Sequence, residues 1–268
     1  MNIAARQIPD PAVRLLSAGA GLMHIAVLLD SGLEHYRGSF RNPAMLLPLA
    51  ASSVNVGIDG ARLMAGRGAA GWDARLVGQG SAMAVGLLGM GFHLLNIGKR
   101  PGGFGWSNLF HAAPLGAPAA LVLAGALGLA ADQAAQPSVS NGRALGALCA
   151  IGILGTSAEA TLLHFRGAFQ NPAMWLPVTV PPVAAVTLAA DAVLARARPA
   201  TMALLALTAV LGFAGAAFHA YGVSRRMGGW RNWRQNLFAG PPLPAPAAFT
   251  GLAVAGLGAL HRIGRRDG

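Results

Sequence analysis

Two histidine-bearing blocks occur twice in this 268-residue chain. The run His35-Tyr36-Arg37-Gly38-Ser39-Phe40-Arg41-Asn42-Pro43-Ala44-Met45 returns 129 residues later as His164-Phe165-Arg166-Gly167-Ala168-Phe169-Gln170-Asn171-Pro172-Ala173-Met174, with eight of the eleven positions identical. Phe92-His93 returns as Phe218-His219. Each copy of that pair is followed by a glycine pair (Gly102-Gly103, Gly228-Gly229), an Asn-Leu-Phe run (108–110, 236–238) and Ala-Pro-Ala-Ala (117–120, 245–248). The second copy carries two extra residues between its glycine pair and its Asn-Leu-Phe run. Asp30 falls on Glu159 at the first offset. Most apolar positions around these blocks have drifted apart, whereas His35, His93, His164 and His219 are kept.

Two imidazoles on separate helices of a four-helix bundle are the usual axial ligands of a b-type haem. Haem propionates need cations at the membrane surface. Arg37 and Arg166 lie two residues beyond the first histidine of each pair. Lys99 and Arg100, and likewise Arg225 and Arg226, lie six and seven residues beyond the second, about 9–10 Å further along if helical. One haem b per histidine pair is therefore expected, one or two in all. Asp30 and Glu159 add a rival chemistry. Histidine with carboxylate suits zinc, copper or non-haem iron, and an intramembrane carboxylate marks a functional site by default. The same carboxylates could relay protons to a quinone head group held by a histidine. The plain alternative is that interfacial His, Arg, Tyr and Trp snorkel to the membrane surface. His24 and His261 are not duplicated and His111 aligns with Ala239, so these three read as local packing or interface residues. The lone Cys149 sits in an apolar run, which makes it a packing residue and rules out an internal disulfide framework.

The elements that must position these residues follow from composition. The chain is 54% hydrophobic and only 11% charged, against about 25% charged residues in a soluble domain; its mean hydropathy is +0.51. Too little charge is present to solvate a globule, so soluble enzyme folds are excluded. The net charge of +11 comes from residues in short loops between apolar runs, a membrane-flank distribution and not a nucleic-acid surface. Apolar stretches of about 20 residues place eight spans near 14–36, 43–64, 75–97, 113–133, 142–164, 172–195, 200–222 and 242–262. The reading is an all-α polytopic membrane protein: eight transmembrane helices as two tandem parallel four-helix repeats, residues 1–133 and 134–268. Each unit has an even number of spans, so both enter the bilayer in the same sense. All four histidines then end odd-numbered spans and share one layer near one interface. The N-terminal segment resembles a signal peptide, but its first span has an equivalent at 142–164, so cleavage is not expected.

Local signals refine this plan. Asn42 and Asn171 should cap the helices that begin at Pro43 and Pro172, with the intervening Gly and Phe making a tight interfacial hairpin. The loops 101–112 and 227–241 carry Phe104, Trp106, Trp230 and Trp233 among arginines, the composition of a segment lying on the bilayer surface. Pro181-Pro182 should kink the sixth span. Asp59 and Asp191 should be solvated or paired with Arg62 and Arg196. No Ser/His/Asp triad, phosphate-binding loop, dinucleotide fingerprint or zinc-protease motif is present.

The four-plus-four plan is similar in gross architecture to membrane subunits of respiratory oxidoreductases. With such short loops, the expected role is a non-catalytic electron-transfer subunit of a redox complex, binding haem b, quinone or both. Its surroundings would be the lipid bilayer and other subunits of the complex docked on the motif-bearing face, with no nucleic acid. The site residues expected are His35, His93, His164 and His219 as ligands, with Arg37, Arg100, Arg166, Arg226, Asp30 and Glu159 around them. A transporter or channel for a small solute or metal ion, with its site at the repeat interface, and a purely structural anchor are the alternatives. Heavy use of Ala, Gly and Arg, with Lys99 the single lysine, points to a GC-rich bacterial source and hence the inner membrane. Eleven basic residues flank the face that holds both termini and nine flank the other, which places the termini in the cytoplasm by the positive-inside rule. Topology reporters fused after Gly268 and within the 101–112 loop should therefore report cytoplasm and periplasm respectively; the opposite pattern would reverse the orientation.

Overall fold

A computed structural model describes residues 10–65, 71–111, 114–134 and 141–264. Arg6, Arg67, Arg265 and Arg266, which enter the charge count above, lie outside the described residues. The described chain is helical and contains no strand. Helix α1 spans Pro11–Arg37, α2 Leu47–Ala65, α3 Trp72–Gly98, α4 Trp106–His111, α5 Gly116–Ala134, α6 Gly142–Arg166, α7 Leu176–Leu194, α8 Pro199–Ser224, α9 Trp233–Phe238 and α10 Ala247–Gly264. Single 3₁₀ turns at Pro43–Leu46 and Pro172–Trp175 lead into α2 and α7. Counting those turns, eight segments among the described residues are long and apolar enough to cross a membrane, and the chain is a multi-pass membrane protein. The short α4 and α9 lie in the two Gly-Gly loops.

The ends of these helices follow the local sequence. Asp10 accepts from the Ala12 amide at 2.9 Å, with Pro11 in the first turn. Asn42 and Asn171 accept from the Ala44 and Ala173 amides, with Pro43 and Pro172 in the first turn where no donor is missed. Two spans start later than apolarity alone indicates: α5 at Gly116 and α10 at Ala247. Pro114, Pro241, Pro242 and Pro244 cannot supply helical amides, and the described residues just ahead of the two helices, 114–115 and 241–246, stay irregular. Helix α7 runs through Pro181 and Pro182 unbroken.

Helix α1 packs on α2, α5 and α10; α3 packs on α5 and α2; α10 packs on α8 and α6; and α6 packs on α7. The α1–α10 contact is the most extensive of these. There the two backbones touch. A Cβ on Gly19 would lie 2.7 Å from the Ala255 amide nitrogen and the Gly251 carbonyl oxygen, and one on Gly251 would lie 2.7 Å from Met23 Cγ. Gly258 meets Ala12 O in the same way at 2.9 Å. Small residues at this spacing permit the close van der Waals packing that drives helix association where lipid removes the hydrophobic incentive. The core beside this seam holds Leu16, Met23, Leu127, Cys149, Ile153, Leu188, Leu205 and Leu252. Large apolar side chains on α2, α3, α7 and α8, among them Val54, Leu87, Val186 and Phe213, face outward as lipid requires.

Two expected ion pairs are different in the structure. Asp59 is buried and bonded to His24 and Gln79, not to Arg62. Arg62 reaches Asp132 instead, which Arg75 also approaches at 2.9 Å. Asp191 is buried against Arg198, not Arg196. Both aspartates point into the helix bundle, so sequence proximity to an arginine was a poor guide to pairing.

The seam sets a clear expectation. Gly251→Leu should cost about 2 kcal/mol or more, because backbone on the opposite side cannot yield. Gly57→Leu, where a Cβ meets nothing within 4 Å, should leave thermal unfolding in detergent micelles unchanged.

Candidate functional site

The first histidine of each pair closes its helix, and the motif that follows wraps around it. Ser39 and Phe40 have φ of 59° and 46°, and Ala168 and Phe169 have 52° and 47°. Two consecutive left-handed residues other than glycine are costly, and both copies carry them. They fold the chain back so that the Phe40 amide donates to His35 O at 3.0 Å and the Phe169 amide to His164 O at 3.1 Å. The 3₁₀ turn then presents a carbonyl to the imidazole. His35 Nδ1–H donates to Met45 O at 2.6 Å, and His164 Nδ1–H to Met174 O at 2.9 Å. The Phe40 and Phe169 rings stand edge-on to the imidazoles, at 6.3 and 6.1 Å between centroids. The glycine serves proximity and not turning: Gly38 and Gly167 have φ of −79° and −84°, and a Cβ on either would lie 3.0 Å from the methyl of Met45 or Met174.

The second histidine of each pair is held by the other repeated block. His93 Nδ1–H donates to Pro114 O at 2.8 Å, and His219 Nδ1–H to Pro242 O at 2.7 Å. Those prolines sit in the irregular stretches ahead of α5 and α10. The repeated residues between shape the loops. Gly102, Gly103, Gly228 and Gly229 all have positive φ. Asn108 donates to Pro101 O and Gly103 O, as Asn236 does to Met227 O and Gly229 O.

A carbonyl can only accept, so every one of the four histidines carries its proton on Nδ1. In the neutral ring the lone pair then lies on Nε2, which makes no hydrogen bond among the described residues in any of the four. This is how a metal-ligating histidine is oriented: the distal nitrogen donates to a carbonyl, which fixes the tautomer and raises the basicity of the other. The two histidines of each pair come from different helices, His35 from α1 and His93 from α3, His164 from α6 and His219 from α8. His164 and His219 line one cavity of about 570 Å³, walled by α1, α6, α8, the starts of α5 and α7, and the Pro-rich approach to α10. That volume lies within the usual range for cofactor and small-molecule sites, and most of its lining is apolar.

Asp30 and Glu159 reach the same cavity. Glu159 Oε1 accepts from the Gly116 amide at 3.0 Å, at the positive end of α5. A side chain at Gly116 would overlap the Glu159 carboxylate. Asp30 Oδ1 is buried with no hydrogen-bond partner among the described residues. The cations are distributed unevenly. Arg37 is spent on structure: it pairs with Glu34 and donates to Leu237 O at 2.7 Å and Gly240 O at 2.9 Å. Arg166 lies over the Phe110 ring at 5.1 Å, so each arginine reaches the opposite Gly-Gly loop. Arg100 points to His111 O at 3.5 Å. Arg226 is exposed and outside the cavity lining, whereas its neighbour Arg225 lines it. Among the described residues, no three His, Cys, Asp or Glu side chains converge as a metal-binding group.

Sequence reasoning took the Arg-Gly-x-Phe-x-Asn-Pro-Ala-Met run as a hairpin and missed that it orients the histidine. The signal was available, since a histidine and a ten-residue tail were duplicated together. The acceptor carbonyls of Pro114 and Pro242 carry no side-chain signature. No protein-family model, curated protein or solved structure matches the chain.

The left-handed pair yields a test. Ala168→Gly should stabilise the protein by about 0.5–1 kcal/mol by removing strain. Gly167→Ala should destabilise it, because the Met174 methyl has to move. Chemical unfolding of the purified protein would read both signs.

Proposed function

We propose that this chain is an integral membrane subunit of a respiratory-type redox complex, binding haem b, quinone or both and passing electrons to or from a partner subunit. In this reading the two copies of the repeat form tandem parallel four-helix units, related by a pseudo-two-fold axis along the membrane normal. The observation that carries it is the common arrangement of the four duplicated histidines: Nδ1–H tied to a carbonyl, and Nε2 with no hydrogen bond among the described residues. Axial haem ligation asks for two such nitrogens on separate helices and nothing more. A mononuclear zinc or non-haem iron site asks for at least three converging side chains, which the described residues do not bring together.

At the better-defined site, His164 and His219 would hold the iron from α6 and α8, with Arg225 at the mouth as the counter-charge for a propionate. Haem bound there supplies one-electron transfer. Asp30, from α1, and Glu159, from α6, line the same cavity and suit proton exchange with a quinone head group: oxidising a quinol releases two electrons and two protons, and the Asp30 oxygen that lacks a partner among the described residues can accept from a quinol hydroxyl. The exposed aromatics Phe104, Trp106, Trp230 and Trp233 on the same face suit lipid head groups or a docked partner. A second reading, a carrier for a small cationic solute, draws on the same carboxylates facing a cavity shared by α1 and α6.

An absorption spectrum of protein purified after expression with haem supply separates these readings. A dithionite-reduced minus oxidised spectrum with b-type bands is expected. His219→Ala should abolish the bands of one haem and His93→Ala those of the other, with helicity unchanged. A colourless preparation that binds no quinone would overturn the proposal and leave the carrier and anchor readings.

A further inference from the structure

Away from the cavity, the helices α1, α2, α3 and α5 enclose a file of buried polar side chains. At its centre His24 Nδ1 lies 2.9 Å from Asp59 Oδ2, and Gln79 Nε2 donates to Asp59 Oδ1 at 2.9 Å. One turn along α2, Asn55 donates to Ala51 O and Gly78 O, both at 2.9 Å, and Ser52 lies beyond it. In the other direction are Arg62, Asp132 and Arg75. From Ser52 to Arg62 the file runs about 15 Å along α2. His24, Ser52, Asn55 and Gln79 are at most 1% exposed. Yet His24 Nε2, Ser52 Oγ, Asn55 Oδ1 and Gln79 Oε1 have no hydrogen-bond partner among the described residues.

Helix packing does not require these residues. At the repeat offsets His24 corresponds to Ile153, Asn55 to Ala184, Asp59 to Leu188 and Gln79 to Leu205, and all four of those are fully buried apolar residues. The surrounding shape is retained, since Gly128 abuts Gln79 where Gly256 abuts Leu205 and Leu188. A fold that can fill this space with leucine has filled it with a carboxylate, an imidazole and two amides. Four orphaned polar atoms in one small core imply bound water, and buried ionisable groups within a membrane mark ion or proton pathways.

We propose that this file is a hydrated proton path from the Arg62–Asp132–Arg75 end toward the His35–His93 pair. Asp59 takes a proton from a water on one side and releases it to a water on the other. His24 and Gln79, donating to its two oxygens, hold the carboxylate between transfers. One proton enters and one leaves, and no electron moves. The destination of the path rests on the redox reading above; its existence does not.

The test uses the full chain in liposomes loaded with a pH dye, with a potassium gradient and valinomycin driving proton entry. The wild-type protein should acidify the lumen faster than protein-free vesicles, and Asp59→Asn should slow that rate at least about tenfold, with Asp59→Glu retaining part of it. Gln79→Leu, which copies the residue tolerated at Leu205, gives a second variant of secured packing and should also lower the flux. Entry no faster than in empty vesicles, or variants equal to wild type, would overturn the proposal; a flux that requires sodium and leaves lumenal pH unchanged would replace it with a cation path. The haem spectrum of the same preparation is read separately, so a colourless protein that conducts protons sinks the redox reading and leaves this one standing.

Discussion

The backbone contact between α1 and α10 is the constraint on which the remaining architecture depends. In a bilayer the lipid tails are as apolar as leucine, so helices gain little from mere burial and associate through close packing. Gly19, Gly251, Ala255 and Gly258 let α1 and α10 approach until carbonyl and amide atoms meet side chains directly. Helix α1 also carries Asp30 and His35, and the Pro-rich approach to α10 carries the carbonyl that holds His219. The seam therefore sets the position of groups that belong to opposite ends of the chain. Arg37 reinforces it at the interface by donating across 200 residues of sequence to Leu237 O.

On this frame the duplicated motifs act as orienting devices. Strain at Ser39, Phe40, Ala168 and Phe169 is retained in both copies because it turns the chain toward the histidine. The aromatic edge and the 3₁₀ carbonyl then fix the ring. The result is chemical as well as geometric. A histidine free to choose its tautomer is a poor ligand in half of its states, whereas one tied through Nδ1 always offers Nε2. Proline plays a related part before α5 and α10. By refusing to extend the helix, it leaves a carbonyl free to accept from His93 or His219.

The two copies have diverged in their interiors while keeping their interfacial ends. Where α1, α2 and α3 meet there is a polar file around Asp59; where α6, α7 and α8 meet there are Ile153, Leu188 and Leu205. The open cavity lies instead at the motif end beside His164 and His219. A duplication that began symmetric now holds different chemistry in its two halves.

Much of this was legible in the residues. Apolar runs of membrane-spanning length specified the eight helices, because a backbone in lipid has to satisfy its own hydrogen bonds. The repeat singled out His35, His93, His164 and His219, because only an exacting role preserves a histidine while its neighbours drift. Tertiary structure decided the rest. That Arg37 is consumed by carbonyls of the opposite loop, and that Arg225 and not Arg226 faces the cavity, depends on helix rotation, which hydropathy does not encode. The burial of Asp59 against His24 and Gln79 was illegible for the same reason. A carboxylate three residues from Arg62 on one helix looks like half of an ion pair until three helices converge to show that the two side chains point at different partners.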